Sequence, residues 1–352
     1  MSTKKIRVGI LGASGYTGAE LVRILSKHPN VEIALLTADR RAGERIDAVF
    51  PHLGGLNLPG LISLEDVEWG GVELDVVFCG LPHGTTQDVI KGLFHATGHS
   101  ILDEFIDERV EDQVDEIQGE VKVIDLSADF RLRDLETYAE WYGHEHYAPD
   151  LQPRAVYGLT EFYRGALVNS SLVAVPGCYP TGALLPLVPL LEAEQIETHG
   201  IIIDSKTGVT GAGRAPKEGM LHAEVSEGMH AYGVASHRHG PEIDQELSVA
   251  AGEPITVTFT PHLAPMNRGI LSTIYVTLKG GATAEDLHAT LSTRYRDEPF
   301  VRVLDMGATP ATRHVRGSNN THIGVVADRS PGRAIIVSAI DNLVKCAAGQ
   351  AV

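Results

Sequence analysis

Cysteine is scarce in this chain of 352 residues: only Cys79, Cys178 and Cys346, an odd number that excludes a fully paired disulfide framework and suits a reducing compartment. Basic residues are also in deficit. Against 46 Asp and Glu stand 29 Lys and Arg, a formal net charge of −17 that argues against nonspecific binding to nucleic acid or anionic membranes. An anionic ligand must then be drawn by a local cluster of cations and backbone N–H groups. No apolar run reaches the length of a bilayer crossing, and MSTKKIRVGI passes almost at once into a strand, so neither a membrane span nor a leader is expected and the expected location is cytoplasmic. Internal repeats and low-complexity linkers are missing too. What the chain does have is 43% hydrophobic residues, enough for a large core that at this length divides into two domains.

The stretch VAVPGCYPTGALLPLVP, starting at Val173, puts one of the few cysteines in a reactive setting. The strand-like run Leu172 to Val175 meets Pro176 and Gly177, which force a turn, and an apolar helical run follows from Ala183 to Leu191. Cys178 thus sits at or just before a helix N-terminus, where amide N–H groups and the positive dipole end favour a thiolate. The competing reading is a small buried core residue, the usual fate of a free cysteine.

At the other end of the chain, Ile6 to Leu11 reads as a strand, Gly12-Ala13-Ser14-Gly15-Tyr16-Thr17-Gly18 as a turn, and Ala19 to Lys27 as a helix. A glycine-rich turn between strand and helix lets backbone approach a pyrophosphate and aims helix N–H groups at it, so Gly12, Ser14, Gly15, Tyr16, Thr17 and Gly18 are candidate dinucleotide contacts. The next strand ends in Asp39-Arg40-Arg41. An acidic residue suits the free ribose 2′-hydroxyl of NAD and arginine the 2′-phosphate of NADP; with both present the spacing is ambiguous, and the adjacent Arg40 and Arg41 tilt the reading toward NADP. The strand Asp75 to Cys79 ends in Gly80-Leu81-Pro82-His83-Gly84, so Leu81 and Pro82 are expected to border the cofactor. Val121 to Leu126 is another strand, followed by Ser127-Ala128-Asp129-Phe130-Arg131. Between these strands, acidic residues from Asp103 to Glu120 interleave with apolar ones and predict an exposed amphipathic helix pair.

Beyond about residue 165 the strands are separated by longer connections, which predicts an α+β domain with a mixed sheet. Two segments there carry chemistry. The loop Ser205 to Arg214, with Gly208 and Gly211, can form an N–H nest for phosphate, to which Arg214 adds a planar fork. His237-Arg238-His239 sets two imidazoles two residues apart, with Glu242 opening a helix; a histidine near a cysteine can keep it ionised and exchange protons. A zinc pair is the alternative, but third and fourth ligands at recognisable spacing are not found, and no metal is expected.

Taken in order, GASGYTGAEL, LTADRRAG, LPHG, LSADFR, VPGCYPTGALLPL, SKTGVTGAGR, HRHGPEI, PMNRGI, GSNNTHIG and IDNLVK make the chain resemble the N-acetyl-γ-glutamyl-phosphate reductases of arginine biosynthesis over nearly its whole length. The resemblance implies an NADP-binding Rossmann domain (1–165 and 332–352) and a catalytic, dimerising α+β domain of the glyceraldehyde-3-phosphate dehydrogenase type (166–331), assembled as a dimer or tetramer. The implied reaction is reduction of an acyl phosphate to a semialdehyde through a thioester on Cys178. His237 is implied as acid/base with Glu242 orienting it, and Ser127, Arg131, Ser205, Gly208, Gly211, Arg214, Arg238 and His239 as substrate or phosphate contacts. Gly182 and Asn319 are implied as further cofactor contacts. Sibling activities in lysine biosynthesis and on aspartate semialdehyde are the alternatives. Two features depart from the family pattern: the acidic segment is longer than usual, and the chain ends at Val352 where a further helix is common.

Overall fold

The computed structural model describes residues 4–96 and 121–352; the acidic helix pair expected between Asp103 and Glu120 lies outside the described residues. The chain forms two compact units, Met1–Pro176 with Ala351–Val352, and Gly177–Gln350. Among the described residues, no helix is long and apolar enough to cross a membrane.

The first unit carries the strands β1 (Ile6–Leu11), β2 (Val31–Thr37), β3 (Leu61–Ile62), β4 (Val76–Cys79), β5 (Lys122–Asp125), β6 (Ala155–Tyr157) and β7 (Leu172–Ala174). Their order is β3-β2-β1-β4-β5-β7-β6, and every neighbouring pair is parallel. Parallel strands need crossover connections and helical cover, which is why these strands read as near-continuous apolar runs. The helix Tyr16–Leu25 is amphipathic and packs against β1 and β2 through Ala19, Leu21, Val22 and Leu25. Gly18 lets it sit close: a β-carbon there would lie 2.6 Å from Ala13 Cα and 2.6 Å from the Gly12 carbonyl oxygen.

The second unit carries β8 (Ile202–Thr207), β9 (His230–Ala231), β10 (Thr258–Leu263), β11 (Ile270–Thr277), β12 (Val301–Val303), β13 (Thr321–Ala327) and β14 (Arg333–Ile340), ordered β12-β13-β14-β11-β8-β10-β9. This sheet is mixed, as expected: β8–β10 and β12–β13 are parallel, whereas β11 runs antiparallel to both β8 and β14. Along β8, β10 and β11 buried residues alternate with more exposed ones, the signature of strands covered on one face. The helix Cys178–Glu192 lies on β11 and β14, and Ala284–Arg294 on β12 and β13.

Both expected domain boundaries move. Residues 166–176 stay with the first unit, because β7 pairs with β5 and β6. Residues 332–350 go to the second, because β14 is an inner strand between β13 and β11. The helix expected from Ala183 begins at Cys178. Pro180 fits its first turn, where an amide proton would have no intrahelical partner. Pro189 deprives the Leu185 carbonyl of its usual donor, and the Tyr295 hydroxyl donates to that oxygen instead at 2.5 Å.

Substituting Gly18→Ala should destabilise the first unit by about 1–3 kcal/mol through overpacking, read as a lower urea midpoint; an unchanged midpoint would show that the helix can step back without cost.

Candidate active site

In the first unit, Gly12 adopts φ +79°, and a β-carbon on it would lie 2.5 Å from the Gly80 carbonyl oxygen and 3.6 Å from Leu81 Cδ2. The glycine turn and the Gly80–Pro82 loop are therefore brought together, as expected for two walls of a nucleotide site. Gly12 N and Ala13 N donate to Thr37 Oγ1 and O, at 3.2 and 2.8 Å, tying the turn to the end of β2. Gly15 caps the helix without a side-chain hydrogen bond, and its first turn, with Tyr16 and Thr17, carries no acidic residue. That leaves an electropositive helix end with no competing carboxylate, a donor set that fits a pyrophosphate. Past β2, Arg41 turns to Glu44 at 3.0 Å, whereas Arg40 is exposed and has no side-chain partner among the described residues. Of the arginine pair, Arg40 fits a 2′-phosphate better.

The segment after β5 departs from expectation. Asp125, wholly buried, accepts from Ser127 N and Oγ, both at 2.8 Å. Burial pushes its carboxyl up to about 7 despite those hydrogen bonds. Asp129 accepts the Gly84 amide at 2.9 Å and the Tyr138 hydroxyl at 3.1 Å. Arg131 donates to the carbonyls of Val175 at 2.8 Å and Leu126 at 3.2 Å. Ser127 and Arg131, expected at the substrate phosphate, are both buried at the ends of β5 and β7 and are hydrogen-bonded there, since buried polar groups must find partners.

In the second unit, Cys178 is half-buried and opens its helix, while Cys79 and Cys346 are buried. The amide of Gly177, the helix cap, donates to Glu242 Oε1 at 2.7 Å. Glu242 is buried in the first turn of the helix Gly240–Ala251, so two helix N-termini meet around one carboxylate. A β-carbon on Gly177 would lie 2.7 Å from His239 Nε2 and 2.8 Å from Glu242 Oε2. Both side chains thus close directly on the residue before the cysteine.

His237 sits elsewhere. Its ring packs edge-on against Tyr179, Tyr232, Phe259 and His239, with centroids 4.8–5.5 Å away, and its Nδ1 accepts the His239 amide at 3.1 Å. Burial, with help from Arg238, pulls it down to about 4. At neutral pH His237 is uncharged and committed to a structural hydrogen bond. His239 is the imidazole beside the cysteine turn, in place of the expected His237. The Tyr179 hydroxyl meets that of Tyr232 at 2.6 Å.

The glycine-rich loop also corrects an expectation. Ser205 is buried and its hydroxyl pairs with Ser272 at 2.8 Å. The amides of Gly208, Val209 and Thr210 donate to the carbonyls of Gly269, Met266 and Asn267, and those of Gly211 and Gly213 donate within the loop. These N–H groups are consumed by a 3-10 turn and form no phosphate nest; Arg214 and Arg238, both exposed, remain as anion-binding candidates. Gly182 faces Ile340 and Ser272 on the side of the helix that lies on the sheet, where a β-carbon would make ordinary contacts at 3.5 and 3.6 Å. Asn319 lies against Gly349, and its Oδ1 is buried without a hydrogen-bond partner among the described residues.

Sequence reasoning missed Tyr179, Tyr232 and the pair Asp341–Asn342. Asp341 receives Arg268 at 3.1 Å and the Gly317 amide at 2.6 Å, while Asn342 joins Gly269 N at 2.7 Å to Thr210 Oγ1 at 3.0 Å. These two residues knot three loops at one end of the second sheet. Their signal was a polar pair ending an otherwise apolar strand, IIVSAIDN. Among the described residues, no three His, Cys, Asp or Glu side chains group as a metal site.

Residues 7–116 match the family described as semialdehyde dehydrogenase, NAD binding domain, and residues 178–342 the one described as semialdehyde dehydrogenase, dimerisation domain. The chain is 59% identical to an N-acetyl-gamma-glutamyl-phosphate reductase of Afipia carboxidovorans, covering 100% of this chain and 94% of the relative. It is 57% identical to the reductase of the same name from Rhodospirillum rubrum, covering 99% and 94%. It is 53% identical to a probable chloroplastic one from Arabidopsis thaliana, covering 99% and 80%. In fold it is similar to aspartate semialdehyde dehydrogenase II from Vibrio cholerae, with a TM-score of 0.69 at 16% identity over 99% of this chain and 96% of that one.

Two measurements check the site. Brief iodoacetamide treatment of the native protein should label Cys178 and spare Cys79 and Cys346, read by peptide mass; equal labelling of all three would contradict the burial order. In NMR spectra of histidine-labelled protein, His237 should titrate near pH 4, below its ordinary 6.5. Because the unfolded chain binds that proton first, the stability linked to His237 should fall as pH drops from 6.5 toward 4. A titration midpoint near 6.5 would remove both expectations.

Proposed function

Because the chain belongs to the N-acetyl-gamma-glutamyl-phosphate reductase family of semialdehyde dehydrogenases, we propose that it reduces N-acetyl-L-glutamyl 5-phosphate to N-acetyl-L-glutamate 5-semialdehyde and phosphate, a step of L-arginine biosynthesis. The observation that carries the reading is the convergence on the Cys178 turn of a helix N-terminus, the buried Glu242 and the imidazole of His239. That combination suits a thiolate nucleophile with a proton carrier at hand.

The Cys178 sulfur attacks the acyl carbon, a C–S bond forms, and the C–O bond to phosphate breaks with its electron pair leaving on phosphate. A thioester suits the path because sulfur is both a good nucleophile and a good leaving group. NADPH, when bound, supplies the hydride that reduces this thioester. Gly12, Gly15 and Gly18 with the first-turn amides of Tyr16–Leu25 would hold its pyrophosphate, and Arg40 its 2′-phosphate. The alkoxide that results from hydride addition takes a proton from His239 and returns it as the C–S bond breaks, the carbonyl reforms and the sulfur leaves as thiolate, Glu242 orienting the cysteine turn through the Gly177 amide. Arg214 and Arg238 attract the phosphate in an otherwise acidic protein. Copies of the chain assemble as a dimer or tetramer in the cytoplasm.

The test is phosphate-dependent reduction of NADP by N-acetylglutamate semialdehyde, alongside the aspartate and one-carbon-longer analogues. Cys178→Ser should abolish turnover. His239→Gln should cost roughly 10²–10⁴-fold in kcat and His237→Gln much less. Full activity in Cys178→Ser would sink the covalent route, and the reverse order of the two histidine variants would return the proton role to His237.

A further inference from the structure

One wall of the nucleotide site is the loop Gly80-Leu81-Pro82-His83-Gly84, which leaves β4 and turns at Gly84, φ +83°, into the helix Thr85–Ala96. Its near end is fixed by the Gly80 amide, which donates to the Leu11 carbonyl at 2.9 Å. Its far end is fixed by a carboxylate 45 positions along the chain: the Gly84 amide donates to both oxygens of Asp129, at 3.0 and 2.9 Å. The Ala128 amide donates to His83 Nδ1 at 3.0 Å, a second bond between the same two segments. Asp129 stands at the start of the helix, where the positive dipole end strengthens an amide–carboxylate bond.

Asp129 is in turn held on every polar side. It is wholly buried; its amide donates to Ser127 Oγ at 3.1 Å, and the Tyr138 hydroxyl donates to its Oδ1 at 3.1 Å. His146 accepts the Ala148 amide at Nδ1, 3.1 Å, which leaves the proton on Nε2 to donate to the Asp129 carbonyl at 2.8 Å. Gln87, in the first turn of the helix, donates to the Tyr138 hydroxyl at 2.7 Å and accepts the Tyr147 amide. A carboxylate fixed this firmly sets where the loop stands, and with it Leu81, whose Cδ2 lies 3.6 Å from where a β-carbon on Gly12 would be.

Resting on the NADPH-dependent reaction proposed above, we propose that Asp129 is a positioning residue for the cofactor. Through the Gly84 amide it holds the Gly80–Gly84 loop in the place from which Leu81 and Pro82 border the dinucleotide. Being buried, it acts through the loop and not by contact with the ligand.

The test is NADPH binding by fluorescence titration of the full-length protein, with hydrogen exchange of the peptide that spans Gly84. Asp129→Asn keeps the shape and an acceptor oxygen but no charge, and should raise the Kd roughly 3–10-fold; Asp129→Ala should raise it roughly 10–100-fold. In both, the Gly84 peptide should exchange faster, while kcat at saturating NADPH and Cys178 alkylation by iodoacetamide stay near wild type. Should the alanine variant not fold, the asparagine variant carries the test alone. Tyr138→Phe removes another partner of the same carboxylate and leaves the Gly84 bonds, so it should lower the melting temperature without weakening NADPH. An Asp129→Asn protein with wild-type Kd overturns the proposal, as does a weaker Kd without faster exchange at Gly84. A Tyr138→Phe protein that weakens NADPH as much overturns it too, since the effect would then be general loss of stability. Binding is read without turnover, so a wild type that binds NADPH but does not reduce the acyl phosphate sinks the reductase reading alone.

Discussion

The hydrogen bond from the Gly177 amide to the buried Glu242 carboxylate joins the starts of two helices, and the candidate site is built outward from it. Each helix start brings unsatisfied N–H groups and a partial positive charge. A carboxylate between them answers that charge and fixes the turn that presents Cys178. The contact requires glycine at 177, since a β-carbon there would fall on His239 and Glu242. One residue without a side chain thus lets a carboxylate, an imidazole and a thiol share a small volume.

The same economy governs the aromatic cluster around His237. Four rings pack on that imidazole, burial keeps it neutral, and its Nδ1 takes the His239 amide. The two histidines of one tripeptide therefore do different work, one holding the segment in shape and the other facing the cysteine turn. Sequence spacing cannot separate them, because two residues two apart share a side of an extended segment. The separation arises where the chain stops being extended and Gly240 starts a helix, with His239 as its cap.

Polar residues that look like ligand contacts in a motif string also need partners of their own. Ser127, Arg131 and Ser205 all lie at or near strand ends in segments that invite a phosphate-binding reading. Each is buried and satisfied by a neighbouring carbonyl, carboxylate or hydroxyl. The Gly208–Gly213 amides are spent on a tight turn against the Pro265–Gly269 segment, which β11 continues. In both cases the demand that buried hydrogen-bonding groups be paired shapes the segment.

Local chemistry along the chain was enough for the strand, turn and helix at Gly12–Gly18, for the parallel and mixed character of the two sheets, and for the cysteine at a helix start. Each depends on residues within one or two turns of chain, where steric rules and periodicity act directly. The membership of β7 and β14, the assignment of His239 to the cysteine turn and the meeting of Tyr179 with Tyr232 depend on partners far along the chain, such as Val123 for Leu172, Ile270 for Ile340 and Tyr232 for Tyr179. Such contacts follow from which faces pack together and which buried groups find one another. That is a property of the folded chain, and no short window of residues contains it.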